Sequence, residues 1–160
     1  MTKKAIFFLS LIFISVGIVA GYFYYSLLIK NRSAESCSAS MIVFHKGTQA
    51  NITFDFMYNN EKRSGIVSVS GSYLENTHPE GTIRRDISFT WTENHDTYNF
   101  HSSGINKVDS LETLPDKVIA TVLPGFYVYP NKSITYSIHP QGSQGFLFTI
   151  GKRPLFFCAR

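Results

Sequence analysis

The chain has 160 residues, of which 44% are apolar, 15% aromatic and 16% charged, and its formal net charge is +4 at pH 7. This composition fits one folded domain with an appendage and excludes disordered, collagen-like and coiled-coil chains. Residues 33–160 contain as many acidic as basic side chains. They lack the concentrated basic charge that nucleic-acid binding requires, so we predict no direct contact with nucleic acid.

Residues 5–29 carry no charged side chain and are predicted to form a transmembrane helix. At about 1.5 Å per residue, this segment is long enough to cross the roughly 30 Å hydrocarbon core of a bilayer. The alternative is a cleaved signal peptide, whose apolar region spans about 7–15 residues and ends at a small-x-small site. The best candidate site has Ile18 where a small residue is needed. We therefore favour an anchor that is not cleaved.

Basic residues lie on both sides of this segment, with two lysines before it and Lys30 and Arg32 after it. The positive-inside rule slightly favours a cytoplasmic position for residues 1–4. The aromatic residues 22–25 suit the lipid–water boundary at the other end. The prediction is a single-pass protein of the bacterial inner membrane with its C-terminal domain in the periplasm.

A GxxxG pattern within the predicted span joins Gly17 and Gly21. Small residues four apart lie on one helix face and let a second membrane helix approach closely. The pattern is common in membrane helices, so it indicates a helix–helix contact only weakly.

Residues 30–40 are mostly small and polar and are predicted to be a stalk that includes Cys37. In an oxidising compartment Cys37 would pair with Cys158, closing a loop of about 120 residues and adding roughly 4–5 kcal/mol to stability. The alternative is two unrelated buried thiols. Without a CxxC motif, a bridge would be structural.

Residues 41–160 alternate apolar and polar side chains over short segments separated by polar turns, which predicts a mainly β, antiparallel, half-buried domain. A small barrel or a curved sheet with one or two short helices is expected. Residues 116–123 suit a short helix, although their β-branched side chains leave a strand open. The predicted strands are residues 41–45, 51–58, 66–73, 82–91, 97–101, 126–129, 133–139, 145–150 and 155–158.

The residues typical of catalysis and metal binding do not form a recognisable set. No two of the five histidines have the spacing of a structural zinc site, and the serines lack a nucleophile-elbow context. Capping and turn formation explain the acidic residues Asp109, Glu112 and Asp116. We predict a protein that is not an enzyme and needs no metal or cofactor.

Arg85 shares its alternation phase with Phe89 and Trp91, which puts a charge on an apolar face of the sheet. A buried charge is costly unless it is paired. One interpretation is that Arg85, Phe89 and Trp91 contact the anionic head of an amphipathic ligand or a partner at a barrel mouth. The other, slightly favoured, is a bulge or edge that brings Arg85 to solvent.

Seven aromatic residues would line the interior of such a ligand-binding barrel, although an ordinary core explains them more simply. They are Phe54, Phe56, Phe89, Trp91, Phe100, Phe146 and Phe148.

Several features together resemble the FidL-like family of small enterobacterial inner-membrane proteins. They are a short basic N-terminus, one span, an early cysteine, Gly71-Ser-Tyr73, Arg84 or Arg85 before Phe89, Leu123-Pro-Gly-Phe126 and a terminal segment from Pro154 to Cys158. The terminal segment with the early cysteine is the most specific of these.

The resemblance implies an organisation similar to the ToxS-type partners of ToxR-like regulators, whose periplasmic domains can help to form a lipocalin-like barrel. It suggests an accessory protein that stabilises or gates a membrane-bound winged-helix transcriptional regulator through periplasmic strand pairing. The alternative is a protein that binds a small amphipathic ligand in a β-barrel pocket on its own.

Overall fold

The structure is a computed structural model that describes the backbone of residues 3–32 and 34–160 and the side chains of residues 12–27 and 35–160. The chain divides into two compact units, Met1–Ala34 and Glu35–Arg160. Residues 1 and 2 of the predicted cytoplasmic tail lie outside the described residues.

The first unit is a single helix, α1 (Lys3–Arg32), so the helix predicted over residues 5–29 is confirmed. Every described side chain of α1, over residues 12–27, is exposed, and most are apolar. Over the residues whose side chains the structure describes, no helix is both long enough and apolar enough to cross a membrane.

The second unit is a closed barrel of eight antiparallel strands in sequence order, with β8 meeting β1. The mainly β prediction is confirmed, and of the two predicted forms the chain takes the barrel. The strands are β1 (Ala34–His45), β2 (Thr48–Asn59), β3 (Ser64–Glu75), β4 (His78–Asn94), β5 (Thr97–Lys107), β6 (Ser133–Pro140), β7 (Gly145–Ile150) and β8 (Arg153–Ala159).

The barrel core follows from the alternation of side chains, because successive residues of a strand point to opposite faces of a sheet. In β2, Ile52, Phe54 and Phe56 are buried, whereas Met57 lies on the outer wall. The same alternation buries inward residues of β3 and β4. The alternation of apolar and polar side chains predicted for residues 51–58, 66–73 and 82–91 is confirmed in these three strands.

The predicted stalk over residues 30–40 is wrong for its second half, because residues 34–40 belong to β1. Cys37 and Ala39 point inward and are buried, while Ser36, Ser38 and Ser40 are exposed. The segment has the period of a strand, but its buried residues are small and its exposed ones polar. Such a strand looks like a linker by composition.

The strand predicted at residues 126–129 is also wrong, which reduces the predicted nine strands to eight. Gly125–Tyr127 forms a short 3-10 helix, in which Phe126 and Tyr127 are buried. The short helix expected within residues 116–123 is found as α2 (Asp116–Ile119). Both helices belong to the connection between β5 and β6.

A disulfide between Cys37 and Cys158 lies where the barrel closes, which confirms the predicted pairing. Beside it, Ser38 and Ala159 are the one β1–β8 pair in register among the described residues. The two cysteines are 121 residues apart. Among the described residues, β1 and β8 are therefore held together mainly by the disulfide and only slightly by backbone pairing.

Replacing both cysteines with alanine should lower the free energy of unfolding by about 4–5 kcal/mol, because the unfolded chain regains the freedom of a long loop. Urea unfolding of the oxidised protein and of the double variant measures this difference.

The matched control is Ser36→Ala, which alters an exposed side chain of the same strand and should change the stability little. A double variant as stable as the oxidised parent would contradict a structural role for the bridge.

Candidate functional site

One end of the barrel is filled by the long connection between β5 and β6, residues 108–132. Four of its side chains are fully buried: Ile119, Phe126, Tyr127 and Val128 are each at most 1% exposed. Phe126 packs against Phe89, with ring centroids 6.1 Å apart. We call this end the plugged end.

Arg85 fastens this connection to β4. Its Nε donates to Glu112 Oε2 at 2.8 Å, and its Nη2 donates to Glu112 Oε1 at 2.5 Å and to Asp116 Oδ1 at 2.9 Å. Its Nη1 donates to the carbonyl oxygens of Tyr127 and Val128 at 3.5 and 3.3 Å. A guanidinium has five N–H groups, and here each has an acceptor.

The charges in this cluster stabilise one another. Burial alone would lower the pKa of Arg85, but hydrogen bonds to Glu112 and Asp116 outweigh it and raise that pKa. Burial likewise opposes ionisation of Asp116, but hydrogen bonds from Lys107 and Arg85 hold the pKa of its carboxyl below the usual value. Arg85 is therefore a structural ion at the plugged end.

The solvent-exposed position slightly favoured for Arg85 is wrong, since the residue is fully buried. The alternation of β4 continues through Arg85, whose side chain points inward, because acceptors from the β5–β6 connection compensate the charge of its guanidinium. Glu112 and Asp116, interpreted as capping and turn residues, supply that compensation. With every donor engaged within the described barrel, Arg85 has none left for the anionic head of a ligand.

Arg85→Met should lower the free energy of unfolding by about 3–5 kcal/mol, because it leaves the nearly buried Glu112 carboxylate without its cation. Urea unfolding measures the loss. Arg84→Met, at the exposed neighbouring position, is the control and should change stability by at most about 0.5 kcal/mol. Equal effects of the two substitutions would contradict this role of Arg85.

The opposite end, at the β2–β3, β4–β5 and β6–β7 turns, contains a cavity of about 170 Å³. We call this end the open end. The wall consists mainly of aromatic side chains from four strands, β2, β4, β5 and β7, with polar groups at the rim. The lining residues are Glu35, Phe56, Tyr58, Asn60, Phe89, Trp91, Tyr98, Phe100, Ile138, Phe146 and Phe148.

A hydrogen-bonded cluster around the Glu35 carboxylate forms one side of the rim. Tyr58 Oη donates to it at 3.1 Å, Asn60 Nδ2 at 3.3 Å and Arg160 Nη2 at 2.7 Å. Burial and the nearby Glu35 carboxylate raise the pKa of the Tyr58 hydroxyl, which keeps it a donor. The cavity is therefore apolar inside and polar at its mouth.

A family model described as the YqeJ C-terminal domain matches residues 34–158. The chain belongs to the YqeJ family. It is also 38% identical over 160 residues to the uncharacterized protein YqeJ of Escherichia coli (strain K12), covering 99% of this chain and 98% of that protein. The resemblance predicted from the sequence is confirmed at the level of this family. The segment that matches the YqeJ model runs from the start of β1 to the second cysteine of the disulfide.

The residues predicted to contact a ligand lie at two different places in the barrel. Phe89 and Trp91 lie in the wall of the cavity, and Arg85 lies at the plugged end. Six of the seven aromatic residues proposed for the interior line the cavity, while Phe54 packs on Tyr127 and Phe156 instead. The contact predicted for Gly17 and Gly21 stays a prediction.

Sequence reasoning missed the rim. The predicted stalk includes Glu35, although this residue lies on the same inward face of β1 as Cys37 and Ala39. The alternation of residues 35, 37 and 39 was the one feature of the sequence that indicated this position of Glu35. Arg160 gave none, because its position over the Phe146 ring depends on barrel closure.

Proposed function

We propose that this member of the YqeJ family is a binding protein without enzymatic activity, which takes one small amphipathic molecule into the open end of its barrel. The observation that carries the proposal is the cavity of about 170 Å³, aromatic inside and polar at the rim. Small-molecule sites in proteins have this character: a mostly apolar wall with a few polar groups that orient the ligand.

The size of the cavity limits the ligand. A cavity of roughly 150 Å³ in another protein holds benzene, and drug-sized molecules need about 300 Å³ or more. The apolar part of the ligand is therefore a single ring or a short alkyl chain. Its polar part would lie beside Glu35, Tyr58 and Asn60.

Stacked rings support the cavity wall from behind. Phe148 packs against Phe156 with centroids 4.8 Å apart, and Phe56 packs against Phe148 at 5.3 Å. Such rings have few torsions and pack closely, so the wall resists collapse into the empty volume. This rigidity favours a preformed site.

We also propose that α1 anchors the barrel to the bacterial inner membrane as a single-pass helix, with the barrel in the periplasm. The uncharged residues 5–29 and the exposed apolar side chains of residues 12–27 support this, because such a surface is unfavourable in water. The disulfide supports an oxidising compartment.

Benzyl alcohol, a ring with one hydroxyl group, should bind the full chain and change the fluorescence of Trp91, the single tryptophan, which lines the cavity. Ile138→Phe should weaken this binding by about tenfold or more, because the added ring atoms occupy the ligand's apolar volume. Titration of the fluorescence measures both affinities.

The matched control is Ile150→Phe, which enlarges an exposed isoleucine away from the cavity lining and should leave the affinity unchanged. Equal weakening by both substitutions, or no response of Trp91 in the parent protein, would contradict ligand binding in this cavity.

An accessory role beside a ToxR-like, winged-helix membrane regulator is a second candidate. It is supported by exposed apolar side chains on β1, with Ile42 58% and Phe44 73% exposed. Ser38 and Ala159 form the one backbone pair between β1 and β8 in the described barrel, so the rest of β1 has an edge available to a partner strand. Strand addition to such an edge is a common recognition mode.

Crosslinking in cells followed by purification of the tagged full chain tests this role. We expect recovery of a winged-helix membrane protein, identified by mass spectrometry, and at least about tenfold less of it with Phe44→Ser, because a large apolar anchor is lost.

Met57→Ser changes an exposed apolar residue on β2 and should preserve recovery. Absence of any winged-helix protein after crosslinking, or equal recovery with Phe44→Ser and the parent, would count against the partner role.

A further inference from the structure

From the charges and rings at the open end, we infer that the ligand's head group is an organic cation, such as an alkylammonium or a quaternary ammonium. This inference rests on the proposed ligand-binding function and specifies the chemistry of the same site. It reverses the expectation of an anionic head, which depended on Arg85.

Glu35 is the one charged residue in the wall of the cavity. Tyr58 and Asn60 donate hydrogen bonds to it and fix its carboxylate at the rim. A second carboxylate, Glu93, accepts a hydrogen bond from Tyr98 Oη at 3.0 Å, and Tyr98 also lines the cavity. An anionic head would meet these carboxylates, whereas a cation would be attracted to them.

Aromatic rings around Glu35 meet nearly at right angles. Tyr58 and Trp91 have centroids 6.1 Å apart with an interplanar angle of 83°, and Tyr58 and Phe146 are 6.2 Å apart at 69°. All three rings line the same cavity. Ring faces attract cations, and groups of them are the usual recognition site for quaternary ammonium ligands.

The chain itself contains a cation at this position. The guanidinium carbon of Arg160 lies 4.5 Å from the centroid of the Phe146 ring, and its Nη2 lies 2.7 Å from Glu35 Oε2. The rim therefore already accommodates a positive charge between a ring face and a carboxylate.

Arg160 is a cation that a ligand is able to replace. Its side chain is 40% exposed and that of Glu35 is 30% exposed, and ion pairs with this exposure contribute little stability. A ligand cation that also buries an apolar group in the cavity has an advantage over Arg160. Arg160 thus competes with the ligand for Glu35 and Phe146.

Three probes with the same ring separate the possible head groups: benzyltrimethylammonium, benzyl alcohol and benzoate. Each is titrated against the full chain in a nonionic detergent, with Trp91 fluorescence as the readout. We expect benzyltrimethylammonium to bind about tenfold more tightly than benzyl alcohol, and benzoate most weakly.

Two substitutions test the charge assignment in opposite directions. Arg160→Gln should tighten benzyltrimethylammonium binding by about threefold, because the internal competitor is removed, and Glu35→Gln should weaken it by about tenfold. The affinity for benzyltrimethylammonium relative to that for benzyl alcohol should rise in Arg160→Gln and fall in Glu35→Gln, and circular dichroism shows whether both variants are folded. Glu61→Gln, at an exposed turn carboxylate outside the cavity lining, is the matched control and should change nothing.

The outcomes distinguish this inference from the function on which it rests. If no probe changes Trp91 fluorescence, ligand binding itself fails. If benzyl alcohol or benzoate binds as tightly as the cation, or if Arg160→Gln weakens cation binding, the cavity binds ligands but the cationic head group is overturned.

Discussion

A buried arginine with every donor satisfied is the constraint on which the rest of the barrel depends. Arg85 would be a severe cost on the inner wall if its charge were unpaired. Glu112, Asp116 and two carbonyl oxygens from the β5–β6 connection remove that cost only when the connection is seated in the barrel. The ion cluster therefore selects one position for a long connection, and the apolar residues beside it fill the plugged end.

Filling one end leaves the empty volume at the other. The barrel interior at the open end is lined by large rings, and the polar rim around Glu35 and Tyr58 borders it. The disulfide between Cys37 and Cys158 closes the wall near this rim, since Glu35 lies two residues before the first cysteine. The β5–β6 connection thus fills one end of the barrel, and the disulfide closes the wall beside the cavity at the other end.

Strand periodicity predicted the parts of the barrel in which inward residues are large. In β2, β3 and β4, alternating Ile, Val and Phe side chains identified the inner face. Periodicity failed in the first part of β1, where Cys37 and Ala39 are too small to mark a face, and at residues 126–129, where apolar residues fill the interior and begin as a 3-10 helix. Arg85 was on the predicted face, but its acceptors are 27 and 31 residues away in sequence. Local patterns do not reveal such distant compensation.

The proposed function and its ligand depend on a cavity at the open end that holds an organic cation among aromatic rings. Nuclear Overhauser effects between the methyl protons of benzyltrimethylammonium and the rings of the full chain test it most directly. We expect cross-peaks to Trp91 and Phe146, and none to Tyr127, which is buried at the plugged end. Cross-peaks to Phe44 on the outer wall without any to Trp91 would contradict it.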